Sequence, residues 1–480
     1  MKPPTIIYLL KTCLVLSCFS AYGQANVAKD IKSFGAKGDG RTNDQAAFEK
    51  AAQFFNARGG NGKLIISKGT YLVGKQDVTK GANGAFYTQG RDVLHFVGVK
   101  NFTVSGTKGT SIIYTPGLKY GSFDPQTGAS YQAKGYFINK LYGATIGTCV
   151  YFESSENIQI TDLELNGNNQ KFVLGGSYGD VGRQLAHFGI YIHASRSVTV
   201  NNLWVHHFGQ DGIVIGNSKS DQKDNIVLSN CTFEYNARQG LSWVGGNDLL
   251  AKNCKFNHTG QASFYSPPGA GVDIEAEQGP IRNGKFVNCE FMDNKGCGLV
   301  ADSGDSGNCS FDQCTFWGLD SWSVWINKPA FTVTNSKIYG SIVHGYNAPN
   351  DQDATKFINC TFQDKSYNGK DAYGNFLIET TGNKRVSFIN CTMIANKKKL
   401  FWISIPPETK PEEKYQFDNC HIICNTSYGN KDYAAIFRGV RYKNTTFEFT
   451  DPQAKAKGNG LNDCCGPRNV DAGGNKTIYK

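Results

Sequence analysis

Two short strings, Gly271-Val272-Asp273-Ile274-Glu275 and Gly298-Leu299-Val300-Ala301-Asp302, each place an acidic residue on an alternating apolar background. In an extended chain Asp273 and Glu275 share one side while Val272 and Ile274 take the other. If the two strings lie side by side, Asp273, Glu275 and Asp302 meet on one patch. Three carboxylates in contact repel one another, so either one is held protonated or a cation sits among them. The first arrangement suits glycoside hydrolysis, with Glu275 as proton donor and Asp273 or Asp302 as its partner. The second suits a Ca²⁺ site formed by Asp273, Glu275 and Asp302, with Arg238, Arg282 or Lys295 as the base that removes a sugar C5 proton. That is lyase or epimerase chemistry. A third possibility is that outward acids only solvate a strand.

What must position these residues is a repeat. Asn230-Cys231-Thr232-Phe233, Asn253-Cys254-Lys255-Phe256, Asn288-Cys289-Glu290-Phe291 and Gln313-Cys314-Thr315-Phe316 are variants of one phrase. Asn359-Cys360-Thr361-Phe362, Asn390-Cys391-Thr392-Met393 and Asn419-Cys420-His421-Ile422 continue it, with Asn335-Ser336-Lys337-Ile338 in one gap. The steps between the cysteines are 23, 35, 25, 46, 31 and 29 residues, and Ser336 splits the longest into 22 and 24. A period in the low twenties with insertions marks a stacked solenoid. The cysteines have inward parity, so a column of reduced thiols is expected, because free cysteine packs as a small hydrophobe. Cys420/Cys424 and Cys464/Cys465 are the pairs placed for disulfides.

A second, glycine-led strand recurs in each turn, from Gly189-Ile190-Tyr191-Ile192-His193 through Asp211-Gly212-Ile213-Val214-Ile215-Gly216 and Gly240-Leu241-Ser242-Trp243-Val244 to Trp322-Ser323-Val324-Trp325-Ile326-Asn327. Stacking these predicts two outward columns: Tyr191, Val214, Ser242, Asp273, Val300, Trp325; and His193, Gly216, Val244, Glu275, Asp302, Asn327. Tyr191 and Trp325 offer rings for sugar stacking, and Arg238, His193, Asn327 and His207 are further substrate-binding candidates. Asp211, in Gln210-Asp211-Gly212, is expected in a turn of its own. Insertions at Leu118–Cys149, Asn166–His187 and Thr259–Gly269 are expected to wall one flank.

Residues 1–24 read as an export signal, with Lys2, an apolar run Ile6–Phe19 and small residues at Ala21-Tyr22-Gly23. Val15-Leu16-Ser17-Cys18 also has the form of a lipobox, which would anchor the chain through Cys18. The formal charge is +10, and no basic run or arm accompanies it. A nucleic-acid partner is therefore not expected. No transmembrane span is expected either. Residues 25–60 hold Phe34-Gly35-Ala36-Lys37-Gly38-Asp39-Gly40-Arg41-Thr42-Asn43-Asp44 and a helix to about Ala57, with Thr42 and Gln45 spaced as a capping box. Residues 61–450 carry the strands, and 451–480 are expected as a loose cap.

The glycine-rich opening together with the repeat resembles the pectate-lyase-like superfamily over roughly residues 28–450. The resemblance implies an all-β, single-stranded, right-handed parallel β-helix (a solenoid) with an N-terminal capping helix. It also implies a polysaccharide as partner, an acidic one by preference. Within that superfamily Asp211 resembles the first catalytic Asp of polygalacturonase-type hydrolases, although Arg238-Gln239 and Gly269-Ala270-Gly271 stand where that group has an Asp pair and Gly-His-Gly. Gly271 and Asp273 match two positions of the mannuronan-epimerase motif. The expectation is an exported polysaccharide-cleaving hydrolase; the alternatives are a metal-assisted lyase or epimerase, and a non-catalytic glycan-binding β-helix.

Overall fold

A computed structural model of the chain describes residues 26–133, 135, 139–179, 181–218, 222–381, 384–406, 408–426, 436–451 and 469–480. Strands wind in parallel register into three faces around one apolar core. The coil around Cys254 shows the plan: Gly246–Lys252 on the first face, Lys255–Asn257 on the second, and the start of Val272–Val287 on the third. Each segment pairs with its counterpart one coil on, as in Leu249↔Gly284, Lys255↔Glu290 and Val272↔Leu299.

The repeated phrase builds the corner between the first and second faces. Its leading residue takes a left-handed conformation, with φ of 54° at Asn253, 52° at Asn288, 56° at Asn359 and 54° at Asn390. Asparagine tolerates that region better than other non-glycine residues. The amides also form an outer ladder: Asn253 donates to Asn230 (3.1 Å), Asn288 to Asn253 (2.9 Å), Asn359 to Asn335 (3.1 Å) and Asn390 to Asn359 (3.1 Å). The next residue turns inward. Cys231, Cys254, Cys289, Cys314, Cys360, Cys391 and Cys420 are all buried free thiols. Phe233, Phe256, Phe291 and Phe316 stack beside them at 5.4, 5.5 and 4.6 Å between ring centroids. Cys424 is also a free thiol, so Cys420 and Cys424 are not bridged. Cys464, Cys465 and the signal segment with Cys18 lie outside the described residues.

The α-helix Gln45–Ala57 closes the N-terminal end of the core, setting Phe55 against Phe102 (4.5 Å) and Phe48 against Tyr71 (5.6 Å). The expected capping box does not form. Thr42 donates its hydroxyl to Asp39, and Asn43 accepts from the Gln45 backbone N–H. Asp44 is the cap residue, but its carboxylate accepts instead from the N–H groups of Lys37 and Gly38 (2.7 and 3.0 Å) and so folds the glycine-rich opening. Gly38 is required there, since it has φ of 63° and a Cβ would meet the Tyr71 ring at 2.8 Å.

The three insertions pack together beside the third face. Lys119 pairs with Val173, the Ser263 hydroxyl donates to the Asn169 carbonyl (3.1 Å), and the Arg183 guanidinium lies 5.3 Å from the Phe264 ring. The winding also continues beyond the expected boundary at residue 450. Lys476–Tyr479 pairs with Thr446–Phe449, so the end of the chain adds strands where a loose cap was expected. Among the described residues no helix is long and apolar enough to cross a membrane.

Candidate functional site

The third face carries the predicted outer column. Tyr191, Val214, Ser242, Asp273, Val300 and Trp325 are successive register partners. The column extends at both ends: His95 and Tyr151 precede Tyr191, while Val343, Glu379 and Trp402 follow Trp325. The second column departs from expectation. His193 pairs with Gly216, but the register slips after Asp273, so that Glu275 faces Ser303 and not Asp302. One extra residue on the later strand makes a bulge, a device that re-aims side chains. Asp302 still bears on both neighbours, since its charge helps raise the pKa of Asp273 and of Glu275.

Asp273 is only 2% exposed and accepts a 2.6 Å hydrogen bond from the Gln239 amide. Burial, and then the charge of Glu275, push its carboxyl well above the usual range. Gln239 is fixed in turn by the Ala270 N–H, which donates to its carbonyl oxygen (2.8 Å). Glu275 is half-buried, and its pKa is raised by burial first and by Glu277 second. Asp211 is not in a separate turn. It opens the strand Asp211–Gly216 as the partner of Gln239, and Arg238 reaches it at 3.4 Å. Burial pushes Asp211 up to about 6, against the pull of Arg238. Asp211 Oδ1, Gln210 Oε1 and Arg238 Nε are buried with no partner in the protein. Burial disfavours the charge on Arg238, yet Asp211, Asp273, Glu277 and Glu275 together hold the guanidinium firmly protonated.

After Glu275 the chain arches back over the preceding coils. The Gln278 N–H donates to the Val244 carbonyl (2.7 Å) and its side-chain amide to the Tyr191 hydroxyl (2.8 Å). Gly216 makes room for this arch, since a Cβ there would come within 2.2 Å of the Gln278 amide oxygen. Tyr191 is thereby tied to the carboxylate site.

Other predicted residues fall elsewhere. His193 stays with Tyr151, 3.4 Å from its hydroxyl. His207 is not on this face. It takes φ of 59° at a corner and stacks on Tyr235 (5.3 Å), with its Nδ1 2.6 Å from that of His206. Arg282 pairs with Asp305 at 2.6 Å, and Lys295 lies 3.8 Å from Asp320, so neither stands free as a base. Trp325 packs edge-on to Trp322 (5.4 Å), and Asn327 lines the same groove further along the face. Calcium does not fit the donor set. Among the described residues no three His, Cys, Asp or Glu side chains converge to hold a metal, and Asp273 is committed to Gln239.

Glu277, Gln239 and Gln278 were missed from sequence. Glu277 had a signal, because Asp273, Glu275 and Glu277 alternate with the same parity. The assembled site offers a half-buried acid able to hold its proton, a second acid beside it, and a fixed cation behind them.

A family model described as a right handed beta helix region matches residues 139–328. Among solved structures, the N-terminal fragment of bacteriophage phi29 gene product 12 aligns with a TM-score of 0.51 at 14% identity, over 94% of this chain and 70% of that one. The Azotobacter vinelandii mannuronan C-5 epimerase AlgE6 A-module aligns with a TM-score of 0.49 at 14% identity, over 94% and 97%. PfbA, a surface adhesin of Streptococcus pneumoniae, gives 0.44 at 13%, over 88% and 90%. No curated protein matches the chain in sequence. The family match and the parallel winding of the strands make the fold a right-handed parallel β-helix.

Proposed function

We propose that this chain is an exported carbohydrate-active enzyme, a glycoside hydrolase that cleaves a polysaccharide on the third face. The observation that carries the reading is Glu275, half-buried beside the bulge and raised in pKa by burial, with the charges of Glu277 and Asp302 both bearing on it. Protonated Glu275 gives its proton to the glycosidic oxygen as the C–O bond breaks. Asp302 either takes a proton from the water that attacks the anomeric carbon or attacks that carbon itself, with water completing the hydrolysis. Asp273 is too buried to touch substrate and acts as a positioning residue, holding Gln239 in place beside the site. The lyase and epimerase reading needs a base, and Arg238, Arg282 and Lys295 are each held in ion pairs. Export rests on the pattern of residues 1–24.

The test is a panel of neutral, uronic and sulfated polysaccharides scored for new reducing ends and for ultraviolet absorbance of unsaturated products. Reducing ends without that absorbance are expected. Glu275→Gln should lower kcat by about 10²–10⁴ with an unchanged circular-dichroism spectrum. Near-normal turnover in that variant removes the assignment, and unsaturated products would make the protein a lyase.

A further inference from the structure

Beyond the carboxylates, the same column leads into a groove of 430 Å³ lined by Trp322, Trp325, Asn327, Glu379 and Trp402, among others. Trp325 lies two strands and Trp402 five strands past Asp273. At ~4.8 Å per strand these are ~10 Å and ~24 Å along the axis. We propose that this groove binds uncharged sugar rings of the same polymer that is cut at Glu275, so that the chain lies along the coil axis with Trp402 as its far platform. The proposal rests on the hydrolase reading and adds the substrate class and the direction of the bound chain.

Three observations favour this occupant. First, Trp402 remains 45% exposed although Phe376 holds it edge-on at 5.4 Å and 69°. An indole held by one such contact and still this exposed keeps area to stack on a pyranose. The aromatics at the other end differ. His95, Tyr151 and Tyr191 stack on one another at 4.3 and 4.9 Å and spend their faces on each other.

Second, Asn327 and Glu379 set an amide and a carboxylate among the rings, a donor and acceptor set suited to hydroxyls.

Third, the charge on this face is wrong for a uronan. Arg238, whose field reaches Asp211, Asp273 and Glu275, is already paired with Asp211. Of the cations near Glu379 and Trp402, Lys398 gives its ammonium to the Gly374 carbonyl, and Lys399 sets its own 5.9 Å from the Phe376 ring. A sugar carboxylate would meet Glu277, Asp302 and Glu379 as like charges. The proposal therefore departs from the acidic glycan expected from sequence.

The experiment is affinity electrophoresis of the uncleaving Glu275→Gln protein through gels containing laminarin, galactomannan, xylan or polygalacturonate. Retardation by at least one neutral glycan is expected, with none by polygalacturonate. Adding Trp402→Ala should weaken the apparent affinity about tenfold, and Trp402→Phe should restore most of it. Equal retardation of the Trp402→Ala protein and its parent overturns the groove assignment. Retardation by polygalacturonate alone, or by none of the four, overturns the uncharged class. The hydrolase reading fails separately: a retarded wild-type protein that releases no reducing ends loses Glu275 as an acid and keeps the groove.

Discussion

Glu277 is the exposed residue with most leverage on the proposed acid. Its charge is the largest ionic contribution raising Glu275, second only to burial. Removing it makes Glu275 easier to deprotonate, so the protonated form disappears at a lower pH. Glu277→Gln should therefore move the basic limb of the kcat/KM profile toward acid, leaving the plateau rate near that of wild type. A pH-rate series on both proteins checks this, and a limb that stays in place separates Glu275 from the rate. At this scale the sequence was half legible. The recurring glycine at the head of each strand aligned Ser242, Asp273 and Val300 correctly, because parity along a strand survives any loop length. The bulge at Asp302 was not legible, since an extra residue inside a strand looks like ordinary spacing. The recruitment of Asp211 was hidden for a different reason. It depends on Arg238 folding back from a neighbouring coil.

The Asn-Cys phrase tells more about an element than its composition does. Asn359 combines a left-handed backbone with two ladder bonds, one given to Asn335 and one accepted from Asn390. Asn359→Ala loses both and meets the steric cost of φ at 56°. A destabilisation of about 1–2 kcal/mol is expected, with a smaller loss for Asn359→Gly. Denaturant titration of the two variants measures the difference, and equal midpoints would assign the effect to the ladder alone. Sequence predicted the inward thiol and its apolar successor because their alternation is direct. It did not predict why asparagine leads the phrase, since that follows from the corner's dihedral angles. The failed capping box is a similar case. Thr42 and Gln45 have the right spacing, but nearer partners take up the groups that would have formed it.

Across the whole molecule, stability passes from coil to coil and ends need covering. Phe55 is the residue through which the α-helix grips the first coils, fully buried and 4.5 Å from Phe102. Phe55→Ala should cost about 3–5 kcal/mol and loosen the cover. A lowered denaturation midpoint together with higher-order species in size-exclusion chromatography is the expected result. Monomer of unchanged stability would show that the helix is dispensable. The solenoid itself was the most legible feature, because a period repeated many times outweighs any one ambiguous segment.

The buried file of thiols has a consequence for handling the protein. Folded, each sulfhydryl of the file is buried, and burial pushes the nearby Cys309 thiol up to about 12, far from the reactive thiolate. Once unwound by heat or guanidinium, the same sulfur atoms become accessible and a few tens of residues apart, and air would cross-link them at random. Recovery of native spirals should then depend on dithiothreitol during renaturation, although the finished molecule ignores it.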